Sequence, residues 1–113
     1  MVDTVTQGLR GRMAAALPRA MKDRDRVVVT ALRSTLGVLA NAEAVPSGPP
    51  SAAGPRGGSE LARQQLSELE VTAIVAAEAE QREQVAQTYA SRGDEARARR
   101  MRAEAEVLRA FLA

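Results

Sequence analysis

Apolar positions recur along the chain with the spacing of one helical face, in four separate stretches. Val5, Leu9, Met13, Ala16, Leu17 and Ala20 fall on one side of a helical wheel, which predicts a first helix opening near Asp3 or Thr4. Pro18 lies on the opposite side. It removes one backbone hydrogen bond, so a bend or break is expected around Ala14 to Leu17. In "KDRDRVVVTALRSTLGVLANAEAV" the stripe is Val28, Val29, Leu32, Leu36, Leu39 and Ala40, with Asp23 or Asp25 available as cap. Three successive valines imitate a strand, but the leucines that follow at helical intervals decide for a second helix.

The periodicity then stops. "PSGPPSAAGPRGG", residues 46–58, concentrates Pro, Gly, Ser and Ala with almost no apolar bulk. Such a segment does not offset its ordering entropy and reads as a flexible connection. A Pro-rich recognition ligand is the other reading, although the P-x-x-P frame is missing. Residues 59–66 read as a short helical turn. "LSELEV" supplies a capping box, Ser67 with Glu70, and a hydrophobic staple, Leu66 with Val71, so a third helix starts there. It is expected to run to about Ser91, with Gly93 as its left-handed stop. Asp94 caps a fourth helix whose stripe is Ala98, Met101, Ala105, Leu108 and Leu112, flanked by Phe111. The expected fold is all-α: a small bundle of about four helices, with small and often alanine-lined faces that pairing into a homodimer would help to bury.

Two charges interrupt the third helix. Its stripe passes through Ile74, Val75, Val85 and Tyr89, and Glu78 and Arg82 fall in the middle of it. They stand in the favourable i,i+4 order, acid before base. Placed mid-stripe they call for partners, and by depth and sign the second helix offers Arg33 and Glu43. The two readings are a semi-buried polar network of Arg33, Glu43, Glu78 and Arg82 that fixes how helices two and three meet, and a phosphate-binding role. Tyr89 likewise reads either as a half-buried ring with a wet hydroxyl or as a stacking platform.

Composition narrows the chemistry. The chain of 113 residues has no His, no Cys, no Trp, one Tyr and one Phe. The usual general acid–base, thiolate and soft metal-ligand chemistries are therefore missing. No Asp/Glu spacing matches a calcium loop or a zinc-protease motif, so no catalytic residue, metal site or cofactor is expected. No apolar run is long enough for a membrane span, and nothing resembles a secretory leader, which makes cytoplasm the default. The net charge is +2, with all but one of the sixteen basic residues being Arg. Arg chelates phosphate and carboxylate, so RNA or an acidic protein fits as a partner. The basic cluster "RAMKDRDR" puts Arg19, Lys22, Arg24 and Arg26 where they can contact a phosphate backbone without reading sequence. With Asp23 and Asp25 interleaved, a solvated basic face is the alternative.

Three pieces, in order, resemble one family. "AMKDRDRVVVTALRSTLGVLANAE" is similar to its Ala-Met-Lys with a charged pair, a Leu-Arg core and a terminal Asn-x-Glu. "LSELEVTAIVAAEAEQREQVAQTYASRGDEA" resembles its Leu-Ser-x-x-Glu-Val start, its Glu-x-x-x-Arg and its Tyr-led turn. "AEAEVLRAFLA" resembles the Glu-x-x-x-Leu-x-x-Tyr-Leu-Pro that closes the first domain. The family is the GatB/YqeY-like one: the tail domain of the B subunit of the tRNA-dependent amidotransferase and its free-standing homologues. The resemblance runs from about residue 20 to 112 outside the Pro/Gly segment. Ala113 stands where the family has proline, and the family's second small helical domain has no counterpart. The resemblance implies a single first helical module that assists tRNA or an amidotransferase-like protein. The family's carbon–nitrogen ligase label would come by association, since the chemistry belongs to other domains and subunits. A helical protein-interaction or self-association module without an RNA role is the competing expectation.

Overall fold

A computed structural model describes residues 8–44 and 65–113, and these form four α-helices and no strand. In chain order they are α1 (Leu9–Lys22), α2 (Arg26–Ala44), α3 (Glu68–Ser91) and α4 (Glu95–Leu112). The expected opening of the first helix at Asp3 or Thr4 and the connection at 46–58 lie outside the described residues. So does most of the turn at 59–66, of which Gln65 and Leu66 stand outside any helix.

Local chemistry sets the boundaries. Ser67 and Glu70 form the capping box in both directions: Glu70 N donates to Ser67 Oγ at 3.0 Å and Ser67 N to Glu70 Oε1 at 2.8 Å. Asp25 Oδ1 accepts from Val28 N at 3.3 Å, starting α2. Asp94 Oδ1 accepts from Arg97 N at 3.1 Å, starting α4. The first helix has no such residue of its own, because Gly8 precedes it. A carboxylate from elsewhere fills the role: Leu9 N donates to Glu68 Oε2 at 2.8 Å. A Cβ at Gly8 would run into that carboxylate, so the small residue is what lets α3 cap α1.

Both helical hairpins turn by the same device. After α3, Asp94 N donates to Tyr89 O and Gly93 N to Ala90 O, with Gly93 at φ +81°. After α1, Asp25 N donates to Ala20 O and Arg24 N to Met21 O, with Arg24 at φ +58°. These are Schellman closures, and glycine suits the left-handed position because it has no Cβ penalty. The second closure places an arginine there. Between the ends, α1 runs unbroken through Pro18, whose ring points to water. Of the bend or break expected there, the break does not occur, because one missing bond on the exposed side does not outweigh burial of Leu9, Met13 and Ala20 on the other.

The core gathers Met13, Leu32, Leu39, Val75 and Leu108, all fully buried, with Leu66 and Val71 of the staple packed against them. Ala79, Ala86, Ala98 and Ala105 are buried as well, and these small residues let α3 and α4 pair along most of their length. The buried side of α2 is rotated slightly from the expected stripe: Ala31 and Thr35 are inside, Ala40 is outside. The reason is that α2 packs chiefly on α1 and α4, with only a small contact to α3. The main neighbour of α3 is thus α4, and α2 touches α3 only in part.

Candidate nucleic-acid interface

That placement decides which groups Arg82 meets. Its side chain is 11% exposed, and its guanidinium uses all three nitrogens. Nε donates to Glu104 Oε1 at 3.0 Å, Nη1 to Glu78 Oε1 at 2.9 Å and to the Glu78 carbonyl at 3.0 Å, and Nη2 to Ser34 Oγ at 2.6 Å. One side chain thereby joins α2, α3 and α4. The network differs from the expected one in two of its members. Arg33 is exposed and donates to Met21 Sδ at 3.8 Å, not to Glu78. Glu43 lies near the C-terminal end of α2, where it pairs with Arg10 of α1 and accepts from Leu66 N at 3.4 Å. Helix spacing gives Arg33 and Glu43 roughly suitable depth, but α3 packs mainly on α4, and neither residue bonds to Glu78. Their place is taken by Ser34 and by Glu104, which is 3% exposed. Glu104 sits at the edge of the α4 stripe beside Met101 and Leu108, where its burial was not legible without knowing what packs there.

Glu104 also lines a groove of about 850 Å³ between α4 and the α1–α2 junction. Burial sorts its walls into layers. Arg24, Arg26, Arg33 and Arg100 are exposed, with Met21 and Thr30, and form the rim; Val27, Val29 and Met101 are half-buried; Glu104 is the buried member. None of the four rim arginines makes an ion pair with a carboxylate among the described residues. Oε1 of Glu104 is held by Arg82, and its other oxygen carries no hydrogen bond among the described residues.

Of the basic residues proposed from sequence, Arg24 and Arg26 belong to this rim. Arg19 and Lys22 are exposed in the last turn of α1, outside the groove, where their charge complements the helix C-terminus. The interleaved acids form no ion pair with the rim among the described residues: Asp25 is the α2 cap, and Asp23 is exposed in the turn. Arg33 and Arg100 join through tertiary structure. Arg100 is one of five arginines scattered around α4, and only the packing of α4 on α2 separates it from the rest.

Tyr89 is half-buried, with the Arg97 guanidinium 5.9 Å from its ring centre. The backbone hydrogen bond from Arg97, followed by its side-chain bond at 2.8 Å, holds the Asp94 carboxyl below its ordinary range. The Asp94 side-chain bond correspondingly raises Arg97. These groups complete the turn into α4 and lie outside the groove.

No helix among the described residues is long and apolar enough to cross a membrane. Fold and groove define a small all-α bundle with an arginine-rimmed cleft over a buried carboxylate. No family model matches the chain, and no curated protein or solved structure is significantly similar to it.

Proposed function

We propose that this chain is a non-catalytic accessory module that binds RNA through backbone phosphates at the α1–α2 junction, in the manner implied by its resemblance to the tail domain of the tRNA-dependent amidotransferase. A cytoplasmic location goes with that role. The carrying observation is the groove rim: Arg24, Arg26, Arg33 and Arg100 converge without a carboxylate partner among the described residues. Converging guanidinium groups suit phosphate because each presents a planar fork of donors. A non-glycine residue at the left-handed position adds support. Arg24 holds a backbone conformation that costs roughly 1 kcal/mol for a residue with a Cβ, and its side chain lines the rim. Strain kept at such a place is a pointer to use.

The competing reading, association with a protein or a second copy through apolar surface, draws on Met21 and Leu69, which are 46% and 80% exposed. They do not form one patch. Glu68 caps the start of α1, so Leu69 lies near that end, whereas Met21 lies at the other end of the same helix. Scattered exposed hydrophobics are ordinary on a monomer's surface.

The test is fluorescence anisotropy with bulk tRNA at two salt concentrations. Four phosphate contacts at a log–log slope of about 0.7 each give roughly 50-fold weaker binding for a fourfold rise in salt. Reversing Arg24, Arg26, Arg33 and Arg100 to Glu abolishes binding. Reversing Arg19 and Lys22 alone has a small effect. Salt-independent binding, or a rim-reversed variant that binds like the parent, overturns the reading; salt-independent dimerisation in sedimentation would favour the protein-association alternative.

A further inference from the structure

The layering of the groove carries more than phosphate affinity. A cationic rim attracts an anion, but the lining also holds the buried Glu104, whose oxygen not bonded to Arg82 repels phosphate oxygens and accepts N–H donors. Between the two lie the half-buried side chains of Val27, Val29 and Met101, an apolar slot for a flat ring. The occupant that satisfies all three layers is anionic at one end, flat and apolar in the middle, and a hydrogen-bond donor at the far end. We infer that the groove takes one unpaired nucleotide of an RNA strand, with its phosphates on the arginine rim and an amino-bearing base edge on Glu104. This rests on the RNA-binding reading and goes beyond it, because it adds base selectivity to a surface that otherwise reads only phosphate.

Two features favour an extruded base over a duplex. An A-form helix presents its bases in a groove that side chains do not enter easily, whereas unpaired bases expose their Watson–Crick edges. The acceptor is also anchored on one side. Arg82 fixes Oε1 of Glu104, and Arg82 is itself bound to Glu78 and Ser34, so the remaining oxygen is held in a set direction. A prepositioned acceptor discriminates because the wrong base leaves it facing a carbonyl. Cytosine and uracil are the sharp comparison: they have the same size and similar stacking surface, but cytosine offers the N4 amino group where uracil has the O4 carbonyl.

The experiment is anisotropy with short single-stranded oligocytidylate and oligouridylate, using the full chain at a fixed, low salt concentration. Oligocytidylate binds at least about fivefold tighter, the lower end of discrimination by a base-edge hydrogen bond. Glu104→Gln reverses or erases the preference, since its amide oxygen turns toward Arg82 and its amino group faces the groove. Val29→Phe is the second variant, which fills the slot; it equalises the two oligomers. Equal affinity of the parent for both oligomers, a preference for oligouridylate, or a preference that survives Val29→Phe overturns the inference while leaving phosphate binding standing. Failure to bind either oligomer or tRNA overturns the phosphate reading itself. Free cytidine monophosphate at the same phosphate concentration does not displace the oligomer; if it does, the site belongs to free nucleotides and the assignment to RNA fails.

Discussion

Removing Glu104 tests the packing logic most sharply, because it takes away the most buried partner of Arg82. In Glu104→Ala the Arg82 side chain, only 11% exposed, keeps Glu78 and Ser34 but loses the Nε bond at 3.0 Å. A hydrogen bond between charged groups contributes about 1.5–3 kcal/mol, and breaking a fully buried pair costs about 3–5 kcal/mol. The surviving partners moderate the loss, so the expected cost is roughly 2–4 kcal/mol. Glu78→Ala is milder, about 1 kcal/mol, since its carboxylate is 19% exposed and its backbone carbonyl still accepts from Arg82. Arg82→Ala is the worst of the three, because it strands the Glu104 carboxylate at 3% exposure. Replacing Arg82 and Glu104 together by Met restores apolar volume without stranding a charge and recovers much of the loss. Arg33→Met serves as the control, staying within about 0.5 kcal/mol because Arg33 is exposed and outside the network. Urea melts at constant m-value measure the series. Equal losses for Glu78→Ala and Glu104→Ala, additivity between Arg82 and Glu104, or a cost under about 1 kcal/mol for Glu104→Ala would refute the reasoning.

Three other positions give independent checks. Arg24→Gly relieves the left-handed strain and raises stability by about 0.5 kcal/mol after glycine's larger unfolded-state entropy is subtracted, while weakening RNA binding; a destabilised Arg24→Gly in a urea melt would show that the side chain is held for the fold. Thr35 is fully buried and its hydroxyl has no hydrogen-bond partner among the described residues, so Thr35→Val stabilises by roughly 1 kcal/mol, and a lower melting temperature would contradict this. Because folding depresses the Asp94 carboxyl, its contribution is complete above the ordinary Asp value and is lost as pH falls through the lowered one. Thermal melts of Asp94→Asn against the parent should therefore converge as pH drops through that window, and a constant gap would mean that the carboxylate's charge contributes nothing.

How far the sequence carried depends on the range of each interaction. The capping box at Ser67 and Glu70, the stop at Gly93 and the cap at Asp94 are contacts within one turn, so residue identity and spacing sufficed to predict them. The cap on α1 was not legible, because the carboxylate comes from Glu68, fifty-nine residues away from Leu9. The polar network was half legible. Its α3 members, Glu78 and Arg82, follow from periodicity alone, whereas Glu104 and Ser34 follow only from α4 lying against α2. The same packing explains the groove: "RAMKDRDR" marked Arg24 and Arg26, and three-dimensional convergence adds Arg33 and Arg100 and drops Arg19 and Lys22. Exposed arginine carries no sequence signal that separates a rim from a solvated face, since both are polar positions on an amphipathic helix.

The central claim is that the groove at the α1–α2 junction is the RNA surface, and residue-resolved amide chemical-shift mapping addresses it directly. Titration of the isotope-labelled chain with a short cytidine-rich single strand should move the amides of Arg24 to Arg33 and of Arg100 to Glu104, and leave those of Leu69 to Val75 in place. Shifts centred on the start of α3, or on Arg19 and Lys22 with α4 unmoved, would contradict the account.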